Sequence, residues 1–183
     1  MNQNKRIMKN LLLSIICVGL ISSVTQAQSE EKKNEIIEDS KEAKEEFLEH
    51  DWEMKKHFAN AYGYVIFPNV GKGAVGVGGA AGNGTAYEQG KLVGMAKLSQ
   101  VSIGFQWGGQ AYREIIFFET KEDMDRFKEN KVELAAQASA VAVTAGASAD
   151  AKYVDGVMIF TIQKGGLMYE ASVGGQKFKF KPL

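Results

Sequence analysis

Apolar and polar positions follow three different rhythms along the chain. Leu11 to Val24 is a mainly apolar run behind Lys5, Arg6 and Lys9. From 29 to 50, Ile36, Ser40, Ala43 and Phe47 recur at i, i+4, i+7 and i+11, with Ile37 and Leu48 beside them. That narrow stripe predicts an amphipathic helix with a charged outer face in water. Met54, Phe58 and Ala61 extend the helical pattern past Asp51. From Gly63 the period changes to two. Gly63 to Pro68 reads as a short strand that the proline closes, and Ala74 to Ala80 alternates valine with glycine. Asn83-Gly84 is a hairpin-turn signal. Thr85 to Tyr87 and Leu92 to Leu98 flank a turn at Glu88 to Lys91, and Val101 to Trp107 and Tyr112 to Phe118 follow as strands.

One more helix is expected near 120–130, where Thr120 offers an N-cap, Asp123 stands three residues on, and Met124 and Phe127 face inward. Residues 132–151 are nearly all Ala, Val, Ser, Thr and Gly, and their alternation favours strand. Turns at Asp155-Gly156, Lys164-Gly165-Gly166 and Gly174-Gly175 are spaced for a meander that ends in Lys177 to Lys181, KFKFK. The sum is a single α+β domain. Its glycines, dense in 71–84 and again in 104–110, fit a strongly curved, barrel-like antiparallel sheet, because glycine inside a strand marks bends and close backbone approach.

Composition sharpens this picture. The basic start, the apolar run and Thr25-Gln26-Ala27 read as a secretory signal peptide cut after Ala27, so residues 28–58 form an N-terminal helical segment and 59–183 the folded domain. Cys17, the only cysteine, sits inside the apolar run behind Ile16, a poor setting for a lipid anchor, and cleavage removes it. Stability must then come from core packing and not from disulfides. The whole chain is neutral, with 22 basic and 22 acidic groups, and without its leader it is slightly acidic. A generally basic nucleic-acid binder is excluded.

Gly71 to Gly76 satisfies G-x-G-x-x-G, but four glycines and Asn83-Gly84 follow where the dinucleotide fingerprint needs a helix. His50 and His57, seven apart, read as surface histidines, and no metal site is expected. No G-x-S-x-G elbow occurs, so neither catalysis nor a cofactor is expected. One constellation remains. Lys177, Lys179 and Lys181 project from one face of the last strand and Phe178 and Phe180 from the other, with Lys164 adding to the basic field. These lysines either guard an edge strand against aggregation or meet anionic headgroups.

The segments FPNVGKGAVGVGGAAGNGTAYEQGKLVG, LSQVSIGFQWGGQAYREIIFFE, AQASAVAVTAGASADA and GGLMYEASVGGQKFKF resemble the SYLF domain. That resemblance implies a lipid- or membrane-binding module without catalysis on a curved antiparallel sheet. Relatives in eukaryotes are actin regulators whose basic N-terminal helix engages phosphoinositides, whereas residues 29–50 here carry nine acids and four lysines. The expectation is a periplasmic or extracellular protein that binds anionic phospholipid or a membrane surface. Lys164, Lys177, Phe178, Lys179, Phe180, Lys181, Phe105, Trp107 and Tyr112 are its candidate contacts. The alternative is a cell-envelope module that docks a protein partner and touches lipid incidentally.

Overall fold

The alternation that starts at Gly63 is realised as eight strands: β1 (Gly63–Gly73), β2 (Gly78–Glu88), β3 (Lys91–Ser102), β4 (Gln110–Phe118), β5 (Ser139–Ala142), β6 (Val157–Gln163), β7 (Ala171–Ser172) and β8 (Gln176–Pro182). Residues 29–50 form helix α1, Met54–Asn60 α2 and Lys121–Lys128 α3. This computed structural model describes residues 29–73, 78–102, 110–134, 139–164 and 171–183. The expected leader, 1–27, lies outside them, as do Phe105 and Trp107. By internal packing the chain divides into Met1–Glu35 and Ile36–Leu183, and the second unit carries the sheet.

Seven strands hydrogen-bond in the order β5-β6-β4-β1-β2-β3-β8, and the two-residue β7 pairs with β5. The sheet is mixed. β5 runs parallel to β6 while every other pair is antiparallel. The C-terminal strands are therefore no meander: β6 lies between β4 and β5, and β8 pairs with β3 across the sheet.

Curvature follows from distances. Neighbouring strands lie about 4.8 Å apart, so β1 and β8, three steps apart, would be about 14 Å apart in a flat sheet. Yet the rings of Phe67 and Phe178 stack at 5.9 Å. β4 and β8 are four steps apart, and Gln176 Nε2 donates to Tyr112 Oη at 3.2 Å and to Glu114 Oε2 at 3.0 Å. The sheet curls until its inner faces meet. Its ladder does not close, but the segment after α3 covers the free side of β8. Leu134 N–H donates to Gln176 O, Gly175 N–H to Leu134 O, and Phe180 N–H to Asn130 Oδ1.

Two sequence signals are overridden. Pro68 does not end β1. The register shifts around it against both β2 and β4, and a bulge absorbs the missing N–H. Asn83-Gly84 is no turn either, since it lies inside β2 and the hairpin turns at Gln89-Gly90. Gly84 serves close approach: a Cβ there would sit 2.1 Å from Ile66 O and 2.8 Å from the Phe67 ring.

The curl separates two apolar layers. Inside, Val65, Phe67, Val70, Leu98, Ile116, Phe118 and Phe178 pack together, and Met124 and Phe127 of α3 join them. Thr120 and Asp123 cap α3 reciprocally, as its sequence signature predicts. Outside, Tyr64, Ile66, Ile115, Phe117 and Phe160 are covered by Ala43, Phe47 and Met54. Ser40, Ala43 and Phe47, the expected stripe of α1, are fully buried. Among the described residues of the small-residue stretch, Ser139–Ala142 is a regular strand and 145–150 a series of turns.

Gly84→Ala should therefore overpack the bulge and destabilise the fold by about 1–3 kcal/mol. Gly71→Ala, where an added Cβ would meet nothing within 4 Å, should be neutral within about 0.5 kcal/mol. Urea denaturation midpoints of the two variants test this, and equal midpoints would refute it.

Candidate functional site

Strand β8 alternates as its sequence predicts. Gln176 and Phe178 are buried, Phe180 is partly buried, and Lys177, Lys179 and Lys181 are exposed on the outer side. Register adds a lysine that the sequence reading did not include. Lys97 of β3 lies directly opposite Lys179, Ser99 opposite Lys177, and Met95 opposite Lys181. The same row continues through Asn83 of β2 to Asn69 of β1, all exposed. Lys177 meets Glu133 at 3.3 Å. Among the described residues Lys97, Lys179 and Lys181 have no ion-pair partner. Like charges directly opposite one another destabilise a sheet, so the Lys97–Lys179 pair is maintained against a local penalty.

The other expected contacts scatter. Lys164 stands at the far end of the row, where its Nζ bonds Asn69 Oδ1, three strand spacings from Lys179. Asn69 also donates to Asp39 Oδ2 at 3.2 Å, which places a carboxylate beside that lysine's partner. Phe178 and Tyr112 are only 3% and 1% exposed and point into the curl, so neither reaches a headgroup at the surface. Phe105 and Trp107 lie outside the described residues.

Tyr112 instead belongs to a polar cluster inside the curl with Glu114 and Gln176. Thr161 pairs with Glu114 in the register, and Gln100 Nε2 donates to Gly174 O at 2.8 Å. Burial, followed by the nearby Glu114 carboxyl, pushes the Tyr112 hydroxyl above its usual range. In the sequence, Glu114 sits among bulky apolar residues and gives no sign that its partner lies sixty residues away.

On the other side of β4, Arg113 is nearly buried and reaches back to α1. Its Nη2 meets Glu42 Oε1 at 2.9 Å, its Nε meets Glu46, and its Nη1 donates to Pro68 O at 3.4 Å. The charged face of α1 is thus partly bound to the sheet and not wholly in water. Asp51, Ser148 and His57 also gather, but as a latch. Ser148 N–H donates to Asp51 Oδ2 at 2.8 Å, while His57 Nε2 lies 2.9 Å from the Ser148 carbonyl oxygen, not its hydroxyl. His57 packs against Phe117 and Phe160 and is half-buried, unlike the surface histidine expected. Burial alone would raise the Asp51 carboxyl, but hydrogen bonds from Ser148 and the Glu53 N–H outweigh it and hold it below its usual value.

Comparison with known proteins gives two likenesses. Residues 99–181 match the Ysc84 family, described as Las17-binding protein actin regulator. The chain is also 31% identical over 123 residues to beta cell expansion factor A of Aeromonas veronii, an alignment covering 66% of this chain and 46% of that protein. The chain thus spans less than half the length of this curated relative. The matched segment starts within β3, whereas the sheet to which it contributes begins at Gly63.

Because the folded Asp51 carboxyl is more acidic than the unfolded one, its stabilisation is present above the unfolded value and is lost as pH falls through the folded value. Asp51→Asn should cost about 2 kcal/mol near pH 7, and the gap to the parent should close below roughly pH 4. Urea titrations at a series of pH values read this directly. A pH-independent gap would refute the latch.

Proposed function

We propose that this chain, whose residues 99–181 match the Ysc84 family, has a non-catalytic role in binding anionic phospholipid at a membrane surface through the outer face of β3 and β8. One observation carries this reading: Lys97 of β3 and Lys177, Lys179 and Lys181 of β8 share one exposed face, and the free edge of β8 is already covered. Edge protection alone would not require them, because Leu134 and Asn130 already engage the backbone of β8.

The magnitudes define the mode of binding. A lysine near an anionic surface is worth about 1 kcal/mol, so four supply about 4 kcal/mol, a millimolar affinity. This is a reversible, salt-screened contact at the surface. Among the described residues no helix is long and apolar enough to cross a membrane. The basic n-region, apolar run and Thr25-Gln26-Ala27 support export before that encounter. The family's description names a protein partner, Las17, and a lysine face also attracts acidic protein, so the vesicle experiment decides between lipid and protein.

In co-sedimentation, the chain from Gln28 on should bind vesicles containing anionic phospholipid and release as salt rises, with little binding to neutral vesicles. Lys97→Gln with Lys179→Gln should lower anionic partitioning by roughly thirtyfold. A folded double variant that binds as before would discard this face, and absence of binding by the parent would assign it to a protein partner. Expressed in a bacterial host, the exported chain should begin at Gln28 by N-terminal sequencing. A product retained in the cytoplasm at full mass would overturn the export reading.

A further inference from the structure

The outer side of α1 carries a second charged ridge. Glu38, Glu42, Glu45 and Glu49 recur at i, i+4, i+7 and i+11, and all are exposed. Glu38 pairs with Lys41 at 2.7 Å and Glu42 with Arg113, but among the described residues Glu45 and Glu49 have no ion-pair partner. The ridge spans about 16 Å at 1.5 Å per helical residue. The lysine row from Lys177 to Lys181 spans about 13 Å at 3.3 Å per strand residue, and Lys97 widens it. On the acidic ridge Lys41 and Arg113 offset Glu38 and Glu42 and leave Glu45 and Glu49 uncompensated, while on the other Glu133 offsets Lys177 and leaves Lys97, Lys179 and Lys181.

The two ridges face opposite ways. Gln176 of β8 bonds Tyr112 and Glu114 of β4 across the interior, so the inner sides of these strands confront each other and their outer sides point apart. Arg113 fixes α1 on the outer side of β4, and the lysines stand on the outer side of β8. One molecule cannot bring its own ridges together.

We propose that the acidic ridge of α1 in one copy docks on the β3–β8 lysine face of a second copy, joining copies of this chain head to tail. A contact between different, oppositely directed surfaces does not close in a pair but leaves one acidic and one basic face free at the ends, so it propagates. Without its leader the chain carries 19 basic against 22 acidic groups, so only a small net charge opposes it. The proposal uses the same lysine face as the lipid reading but does not require lipid. Anionic vesicles and a second copy compete for it.

Sedimentation velocity of the chain from Gln28 on tests this. At about 20 mM salt the mean mass should rise with concentration beyond a dimer, and at about 500 mM salt it should fall to the monomer. Glu45→Lys with Glu49→Lys, and separately Lys97→Glu with Lys179→Glu, should each weaken association more than about tenfold. Mixing the two variants, which restores opposite charges at every contact, should bring assembly back. Glu45→Gln with Glu49→Gln supplies a milder change, and circular dichroism checks that each variant is folded. A parent that stays monomeric at low salt, assembly indifferent to salt or to either reversal, or a mixture that stays monomeric would overturn the proposal. Vesicle binding by the Glu45→Gln, Glu49→Gln variant keeps the two readings apart, since it retains the lysine face and introduces no new cation.

Discussion

The contact on which the rest depends is the one made across the inside of the sheet. β8 lies four strands from β4 in the ladder, yet Gln176 touches Tyr112 and Glu114, and Phe178 stacks on Phe67. Without that meeting the sheet would be an open surface with an apolar face too wide for one short helix to cover. With it, the strands cover one another and α3 is enough, through Met124 and Phe127, to complete the inner layer. Glycine makes the approach feasible. At Gly94 a Cβ would fall 2.3 Å from the Phe180 ring and 2.6 Å from Lys181 O, where β8 closes on β3.

The curl also decides where charge can stand. Its inner side holds a small polar network among aromatics, and its outer side is divided between a helix-covered half and a bare one. The covered half is held by Arg113, a nearly buried cation whose two carboxylate partners come from one helix, one turn apart. Removing only the arginine would leave Glu46, half-buried beside Glu42, without its cation, while water would screen the more exposed Glu42. Among the described residues no helix lies over the bare half, which carries lysines and small polar side chains instead.

Local signals were legible where they concerned one element at a time. The stripe Ile36, Ser40, Ala43 and Phe47 names the buried side of α1, Thr120 and Asp123 name the start of α3, and KFKFK names the inner and outer sides of β8. What the sequence conceals is pairing over long range. Asn83-Gly84 has the composition of a hairpin turn, and only the bulge at Pro68 explains why glycine is needed mid-strand. The strand order, with β5 parallel to β6, rests on contacts between residues tens of positions apart, which no short window contains. Lys97 was missed for the same reason, because its significance lies entirely in the residue opposite. Phe178 stands between lysines and Tyr112 beside an arginine, but alternation turns both inward.

Strand β8 has a bearing on how the molecule comes to be folded. It is the last strand in chain order, yet it pairs with β3, some eighty residues earlier, and supplies Phe178 to the inner layer. A chain emerging from its N-terminus therefore holds β1 to β4 with the outer edge of β3 unpaired until residues 176–182 arrive. Such an edge is a template for wrong partners, and contacts of this separation form slowly. Folding is thus a race between the arrival of one seven-residue segment and the capture of that edge by another chain, and a chaperone that keeps the polypeptide extended would favour the correct outcome.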